Sequence, residues 1–581
     1  MNTLSRRICH TQRGRLPLRP QLSACARVSS LLMAYATACL LIAAPAGAAA
    51  PPDDTTTTRV FIFAGQSNMV GSDSKVDDIK RFPPFAGLEA PQDDVLFSYC
   101  LGREQKNISA GWEALRPLNN TVGPELSFAA TVTDTIDAPI AIIKVAAGGT
   151  HLGGDWNPDH PDGFQMYPLA LKQVREALAS LKDRGVSYRL EGFMWHQGEN
   201  DMFNPDYMAN YGKNLKNFLA CWRRDLGEPN LRFFIGELCT KTIWGMDLRP
   251  RMYAISLGQK AVTDADPLAD YVPTSHVGVE IGGGVGLHYH YGTLGQLEHG
   301  VNYAEAYLRG LGHDTSRPRP LTKWPYTKGS PVKLYVLAGH RNMEGERAFV
   351  QDLAADTPLA KAHQDLLADN LSIAYRYSLG GGVKESAGWE PLGPAGLYDT
   401  FGPELSFAAT LAEMPGDIAI AKFTHSGSQI IDWTPEGSEA VSRNLYPDFI
   451  AFIKDTIADL EQRGHTVSLE GIFYHVGEND MSWGPFRSGA AKRVMSLVNA
   501  SRVDLDRPAL RWTISQQAPT DDPSVNTIDV TRQLEEAFAA DEHIVHIKAF
   551  APPPQPKQLV LDTAGIIWLG EQLGESVLPA K

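Results

Sequence analysis

The sequence predicts two tandem α/β domains, each a doubly wound, three-layer unit with a mainly parallel sheet. Three observations carry this: an internal repeat, strand and helix patterns alternating within each copy, and ordinary globular composition. The chain has 581 residues, of which 43% are hydrophobic and 21% charged, and its net charge is −14. Such a composition excludes a wholly disordered chain, a coiled coil and a collagen-like repeat. The acidic balance argues against nucleic acid or an anionic membrane as a partner.

The first element is a leader. Residues 1–50 hold Arg6, Arg7, Arg13, Arg15, Arg19 and Arg27 and no acid, so the rest of the chain carries −20. An apolar run from Leu31 to Ala44 follows and ends in Ala46-Gly47-Ala48. A basic start, a short apolar core and an A-x-A site mark residues 1–48 as a secretory signal, with a secreted or periplasmic location expected. The run falls short of the roughly 20 residues a membrane span needs. No membrane partner is expected once the leader is removed. Cys100, Cys221 and Cys239 remain, without metal-ligand spacing. They read as buried thiols or at most one disulfide.

The repeat comes next. Val60-Phe-Ile-Phe-Ala-Gly-Gln-Ser-Asn-Met-Val-Gly71 returns as Leu334-Tyr-Val-Leu-Ala-Gly-His-Arg-Asn-Met-Glu-Gly345. GPELSFAAT stands at 123–131 and again at 402–410, and IAIIKVAAGGT (140–150) returns as IAIAKFTHSGS (418–428). LEGFMWHQGEND (190–201) returns as LEGIFYHVGEND (469–480). A steady offset over four segments means two homologous domains, at 57–312 and 332–581, joined by a Pro- and Lys-rich linker at 316–331.

Within the first copy, Val60–Ala64, Ile140–Val145 and Gly192–Trp195 are short apolar runs ending at turn residues, as buried strands do. Helix patterns lie between them, at Glu125–Thr135 behind Gly-Pro and at Tyr167–Arg184, where Leu169, Leu171, Val174, Ala177 and Leu181 recur at helical spacing. Alternation of this kind implies a parallel sheet covered by helices, with a site beyond the carboxyl ends of the strands. Gly65-Gln-Ser-Asn and Gln197-Gly-Glu-Asn-Asp both follow strands directly and are expected to meet there.

Each segment has chemistry to offer and a bland alternative. Ser67 after a strand can expose a hydroxyl as a nucleophile, or merely cap a helix. Gly148-Gly149 lets a backbone N–H approach an oxyanion, or makes a turn. An amide in the Gln197–Asp201 segment can add an oxyanion donor, or close an Asx turn. His288, His290 and His299 lie late in the copy, where a histidine opposite Ser67 would serve as general base. Trp112, Trp156 and Trp195 offer aromatic faces to a sugar, though buried packing suits each better.

Together the segments Gly-Gln-Ser67-Asn-Met, Gly148-Gly149, Trp-His-Gln197-Gly-Glu-Asn200-Asp and His290-Tyr-Gly-Thr-Leu-Gly-Gln-Leu-Glu-His-Gly resemble the SGNH hydrolases. Within them they resemble the sialate O-acetylesterase-like group, carbohydrate esterase family 6. The resemblance implies a flavodoxin-like αβα fold, Ser67 as nucleophile, and an oxyanion hole from the N–H groups of Ser67 and Gly149. The third oxyanion donor is Asn200 by the wider superfamily's pattern, with Gln197 a rival. The base is His290 if the spacing to the following helix is kept, or His288 if Gly-Leu-His-Tyr is aligned instead. An acetylated carbohydrate is the implied substrate, with no metal and no organic cofactor.

The family's triad Asp normally stands three residues before the His. Here that place holds Leu287 or Val285. Glu199, Asp201 and Glu280 are the substitutes on offer for the orienting acid, and a Ser–His dyad is the other option. The second copy has Arg341 for Ser67, Val476 for Gln197 and Val560 for His290. Arg cannot act as an acyl nucleophile. The second copy is therefore expected to be non-catalytic, and the whole to be a carbohydrate O-acetylesterase. The rival reading is a glycan-binding protein without activity, which the missing Asp favours.

Overall fold

Strand β1 (Thr58–Gly65) is buried at every position and forms the centre of the first sheet. The computed structural model describes residues 55–579 apart from 106, 244–245, 280–288, 439–443, 483, 518–527 and 551–558. The leader, His288 and Glu280 thus lie outside the described residues. The other long strands of this copy are β2 (Gln92–Leu101), β3 (Ile140–Ala146), β4 (Tyr188–His196), β5 (Phe233–Gly236) and β6 (Ala269–Val272). They run parallel in the order β2-β3-β1-β4-β5-β6, and two short antiparallel strands pair with β2. Strands leave β1 in both directions, so its carboxyl end is a switch point of the sheet.

Helices fill both faces because β1 is apolar on both. Val60, Ile62 and Ala64 join a core with Trp156, Trp195 and Trp222. Phe61 and Phe63 point the other way, and Phe61 meets Phe128 and Tyr307 edge-on at 4.8 and 4.9 Å. Such pairs add about 0.5–1.5 kcal/mol each beyond area burial. Trp156 and Trp195 are fully buried, and Trp112 donates to Ala177 O at 3.3 Å, so all three tryptophans pack. The three cysteines are buried and free. Burial pushes the Cys100 thiol up to about 11.

The duplicated GPELSFAAT has a structural cause. Glu125 begins a helix (Glu125–Thr133) and takes Lys144 of β3 at 2.7 and 2.8 Å, with both side chains buried. Glu404 and Lys422 repeat the pair at 2.7 Å. A charge this deep is tolerated only with its partner, so each copy keeps both residues.

The second sheet has the same plan. Its strands are β7 (Pro331–Gly339), β8 (Asn370–Leu379), β9 (Asp417–Thr424), β10 (Thr466–His475), β11 (Trp512–Gln517) and β12 (Ile544–Phe550), in the order β8-β9-β7-β10-β11-β12. The segment between the copies is not a free tether. Tyr326 is buried, donates to Ile418 O and accepts from Ala374 N. Residues 52–581 form one compact unit. Among the described residues no helix is long and apolar enough to cross a membrane.

Candidate functional site

The register of the sheet brings three strand ends into one row. Gly65 of β1 stands opposite Ala146 of β3 on one side and His196 of β4 on the other. Gly65 has φ +151°, and a Cβ there would fall 2.0 Å from His196 O. Only glycine lets the chain leave the strand so tightly. Gln66 N–H donates to His196 O at 3.1 Å, and a single helical turn (Ser67–Val70) follows, closed by Gly71 N–H on Ser67 O at 3.0 Å. Ser67 opens this turn. Its own N–H has no acceptor among the described residues, as befits the start of a helix.

Gly148 lies directly across, where a Cβ would be 3.5 Å from Ser67 Cβ. Gly149 is left-handed at φ +72°, and its N–H also has no acceptor among the described residues. Thr150 ties the turn back by donating to Ala147 O at 2.8 Å. Arg103 donates to Gly148 O at 2.6 Å, and its guanidinium lies over Phe164 at 4.9 Å. The rim of the site thus carries a positive charge that no sequence pattern announced.

The two candidate amides differ in what they already hold. Gln197 is buried, and its Nε2 faces Thr150 O at 2.9 Å, Gln66 Oε1 at 3.1 Å and Asp201 Oδ2 at 2.6 Å. Two hydrogens facing three acceptors leave nothing for a substrate. The half-buried Asn200 bonds through its backbone to Gln66 Oε1 at 3.4 Å, while its side-chain amide meets no partner among the described residues. Of the two, Asn200 has the open donor.

His290 presents the largest departure from expectation. Its Nδ1 lies 2.7 Å from Asp73 Oδ2, a carboxylate 217 residues earlier in the chain. Its Nε2 is buried without a hydrogen-bond partner. A carboxylate at Nδ1 holds the proton there and leaves the lone pair on Nε2. Of the three substitutes, Glu280 lies outside the described residues, and neither Glu199 nor Asp201 bonds to His290. Glu199 accepts from Asn68 Nδ2 at 2.6 Å and pairs with His196 at 3.4 Å, while Asp201 accepts the N–H groups of Leu152 and Gly153 at 2.8 and 3.0 Å. Burial raises Glu199, but the hydrogen bond and charge of His196 outweigh it and hold the carboxyl below its usual range. Burial raises Asp201 despite its donors. Both acids shape turns rather than approach His290.

Asp73 is held at φ +62°, a conformation Asp tolerates better than most residues. Ser74 clamps its turn, donating to Gly71 O at 2.6 Å and accepting from Val122 N at 2.7 Å. Asn68 fastens the other half. Its Oδ1 accepts Tyr291 N at 3.2 Å and its Nδ2 reaches Tyr289 O at 3.4 Å, gripping both neighbours of His290. Comparison of the two copies holds a signal for Asp73: at the same offset as Ser67 to Arg341, it becomes Arg347.

In the second copy the clamp survives without the histidine. Asn342 Oδ1 accepts Leu561 N at 2.8 Å and its Nδ2 donates to Leu559 O at 3.2 Å, so Val560 occupies the place of His290. Arg341 is buried and donates to Glu346 at 2.6 Å. Among the described residues no cluster of His, Cys, Asp or Glu has the arrangement of a metal site.

Comparison with known proteins gives the family of the chain. A family model described as carbohydrate esterase, sialic acid-specific acetylesterase, matches residues 57–309 and again 331–579. No curated protein matches the chain. Among solved structures, an Arabidopsis thaliana protein is 22% identical, with 44% of this chain and 98% of that one covered and a TM-score of 0.33. A carbohydrate acetylesterase from Xanthomonas citri is 17% identical, with coverage of 45% and 58% and a TM-score of 0.32. NanS is 17% identical, with coverage of 44% and 97% and a TM-score of 0.32. With its family model matched twice and over most of its length, the chain belongs to the sialic acid-specific acetylesterase family of carbohydrate esterases.

Proposed function

We propose that the first copy is a carbohydrate O-acetylesterase working through Ser67, His290 and Asp73. The observation that carries the reading is the imidazole of His290, with Nδ1 against a carboxylate and Nε2 unpartnered. Ser67 Oγ attacks the acetyl carbonyl and His290 Nε2 takes its proton. The oxyanion is met by the N–H groups of Ser67 and Gly149 and by the Asn200 amide. Collapse releases the sugar hydroxyl, which receives the proton from His290. Water then attacks the acetyl-enzyme with the same His as base, giving acetate. His290 Nε2 makes no hydrogen bond to Ser67 Oγ, and catalytic hydrogen bonds of this kind are often long until the reacting complex forms.

Asp73 beside His290 weighs against a glycan-binding protein without activity, the reading that a missing acid favoured. The substrate class, an acetylated sugar, follows from the family. Residues 1–48 would carry the protein out of the cytoplasm, to the periplasm or beyond. The test is hydrolysis of 4-nitrophenyl acetate and of acetylated sialic acid and xylan by the mature protein. Ser67→Ala and His290→Ala should each lower kcat by about a thousandfold or more. Equal rates for Ser67→Ala and the parent would refute the reading.

A further inference from the structure

Where the second copy repeats the Gly148-Gly149 turn of the first, the first copy packs against it. Gly427 occupies the place in the second copy that Gly149 holds in the first. Its carbonyl accepts Lys241 Nζ of the first copy. Its Cα packs against Ser275 O so closely that an added Cβ would lie 1.5 Å from that oxygen. Ser275 Oγ is 3.3 Å from His425 Nε2. A small cavity at this seam is lined by Lys241, Ser275, Val277, Arg341, Ser426 and Asn479, drawn from both copies.

The two residues seated on Gly427 each follow a residue that grips the histidine segment. Thr240, before Lys241, donates to Tyr289 O at 3.2 Å. Thr274, before Ser275, has its Oγ1 2.8 Å from the Tyr291 hydroxyl. Tyr289 and Tyr291 flank His290. The N–H groups of Thr274 and Ser275 both donate to Glu237 Oε2, at 3.1 and 3.0 Å, which ties this segment to the end of β5. Two short paths therefore lead from one glycine of the second copy to both sides of the imidazole.

We infer that Gly427 is a positioning residue for His290, and that the second copy has been kept as the seat of the first copy's base. This rests on the reading of Ser67 and His290 given above. The degenerate oxyanion turn takes a lysine and a backbone carbonyl of its sibling where the intact one would take an acyl group. A side chain at 427 has to push Ser275 away, and losing the Lys241 donor frees the Thr240 side. Either change shifts the imidazole relative to Ser67 without touching the substrate rim at Arg103.

The test uses the mature protein and 4-nitrophenyl acetate, with Gly427→Ala, Lys241→Met, and Gly484→Ala as a control whose new methyl would meet only Arg487, at 3.7 Å. The expected result is a tenfold or larger fall in kcat for the first two with KM within twofold, and no change for the control. Gly427→Ala combined with His290→Ala should be no slower than His290→Ala alone, because a positioning effect vanishes with the group it positions. If Gly427→Ala does not fold, Lys241→Met carries the test. A kcat within twofold of the parent in folded Lys241→Met, or a further loss when Gly427→Ala is added to His290→Ala, overturns the inference. Undiminished activity of Ser67→Ala would instead overturn the underlying reading of the first copy.

Discussion

Replacing Asp73 with Asn keeps the shape beside His290 and removes the charge. When His290 takes the proton of Ser67, an imidazolium forms next to a carboxylate whose Oδ2 is 2.7 Å from Nδ1. Unit charges 4 Å apart interact by about 1 kcal/mol in bulk water and about 4 kcal/mol at an effective dielectric of 20. The His290 side chain is 9% exposed and that of Asp73 51%, so the pair lies between these limits, at about 2–3 kcal/mol. At roughly 1.4 kcal/mol per decade, kcat should fall about 30- to 150-fold. An Asn amide that donates to Nδ1 would trap the wrong tautomer and deepen the loss. KM should change little, because Asp73 touches the base and not the substrate. Steady-state hydrolysis of 4-nitrophenyl acetate by the parent and Asp73→Asn measures both. A kcat within threefold of the parent would show that Asp73 does not orient the base.

Three further outcomes follow from the same geometry. Gly65→Ala drives a Cβ into His196 O, so urea unfolding should show a loss of about 2–4 kcal/mol, and a change under 0.5 kcal/mol would refute the close approach. Arg341→Ser restores a hydroxyl to the second copy but neither base nor acid, so adding it to Ser67→Ala should leave that variant as inactive as before; recovered turnover would contradict the account. Burial raises Glu478 to about 8 and Asp480 to about 7, above their unfolded values near 4, so the folded chain holds protons that unfolding releases. The stability these groups contribute is complete below about pH 4 and is lost as pH rises through 7 and 8. Urea unfolding at pH 5, 6.5 and 8 should fall less steeply in Glu478→Gln, by up to about 1.4 kcal/mol per pH unit, and an unchanged slope would count against it.

The layers were legible because they rest on local pattern. β1, β3 and β4 appear where apolar runs ending at turn residues placed them, with β4 extended back to Tyr188. The meeting of Ser67, Gly149 and the Gln197–Asp201 segment follows from strand ends lying in one row. The acid beside His290 was legible only as a difference between the copies, Asp73 against Arg347, because its partner depends on how a surface turn six residues after Ser67 folds over the start of the helix Gly292–Gly310. Nothing in the composition of Gly71-Ser-Asp-Ser74 marks it. Gln197 was an equal rival to Asn200 on paper because a position at a strand end does not say which amide is already occupied. The seating of Lys241 and Ser275 on Gly427 is a contact between copies, and a repeat reports that copies are alike without reporting where they touch.

In the proposed mechanism one serine, in one copy, carries the acyl group. Acid quenching during turnover of 4-nitrophenyl acetate, followed by peptide mass spectrometry, measures this directly. At most one acetyl per chain is expected, on Ser67, with none retained in His290→Ala and none in the second copy. An acetyl on any other residue during productive turnover, or undiminished turnover in Ser67→Ala, would contradict it.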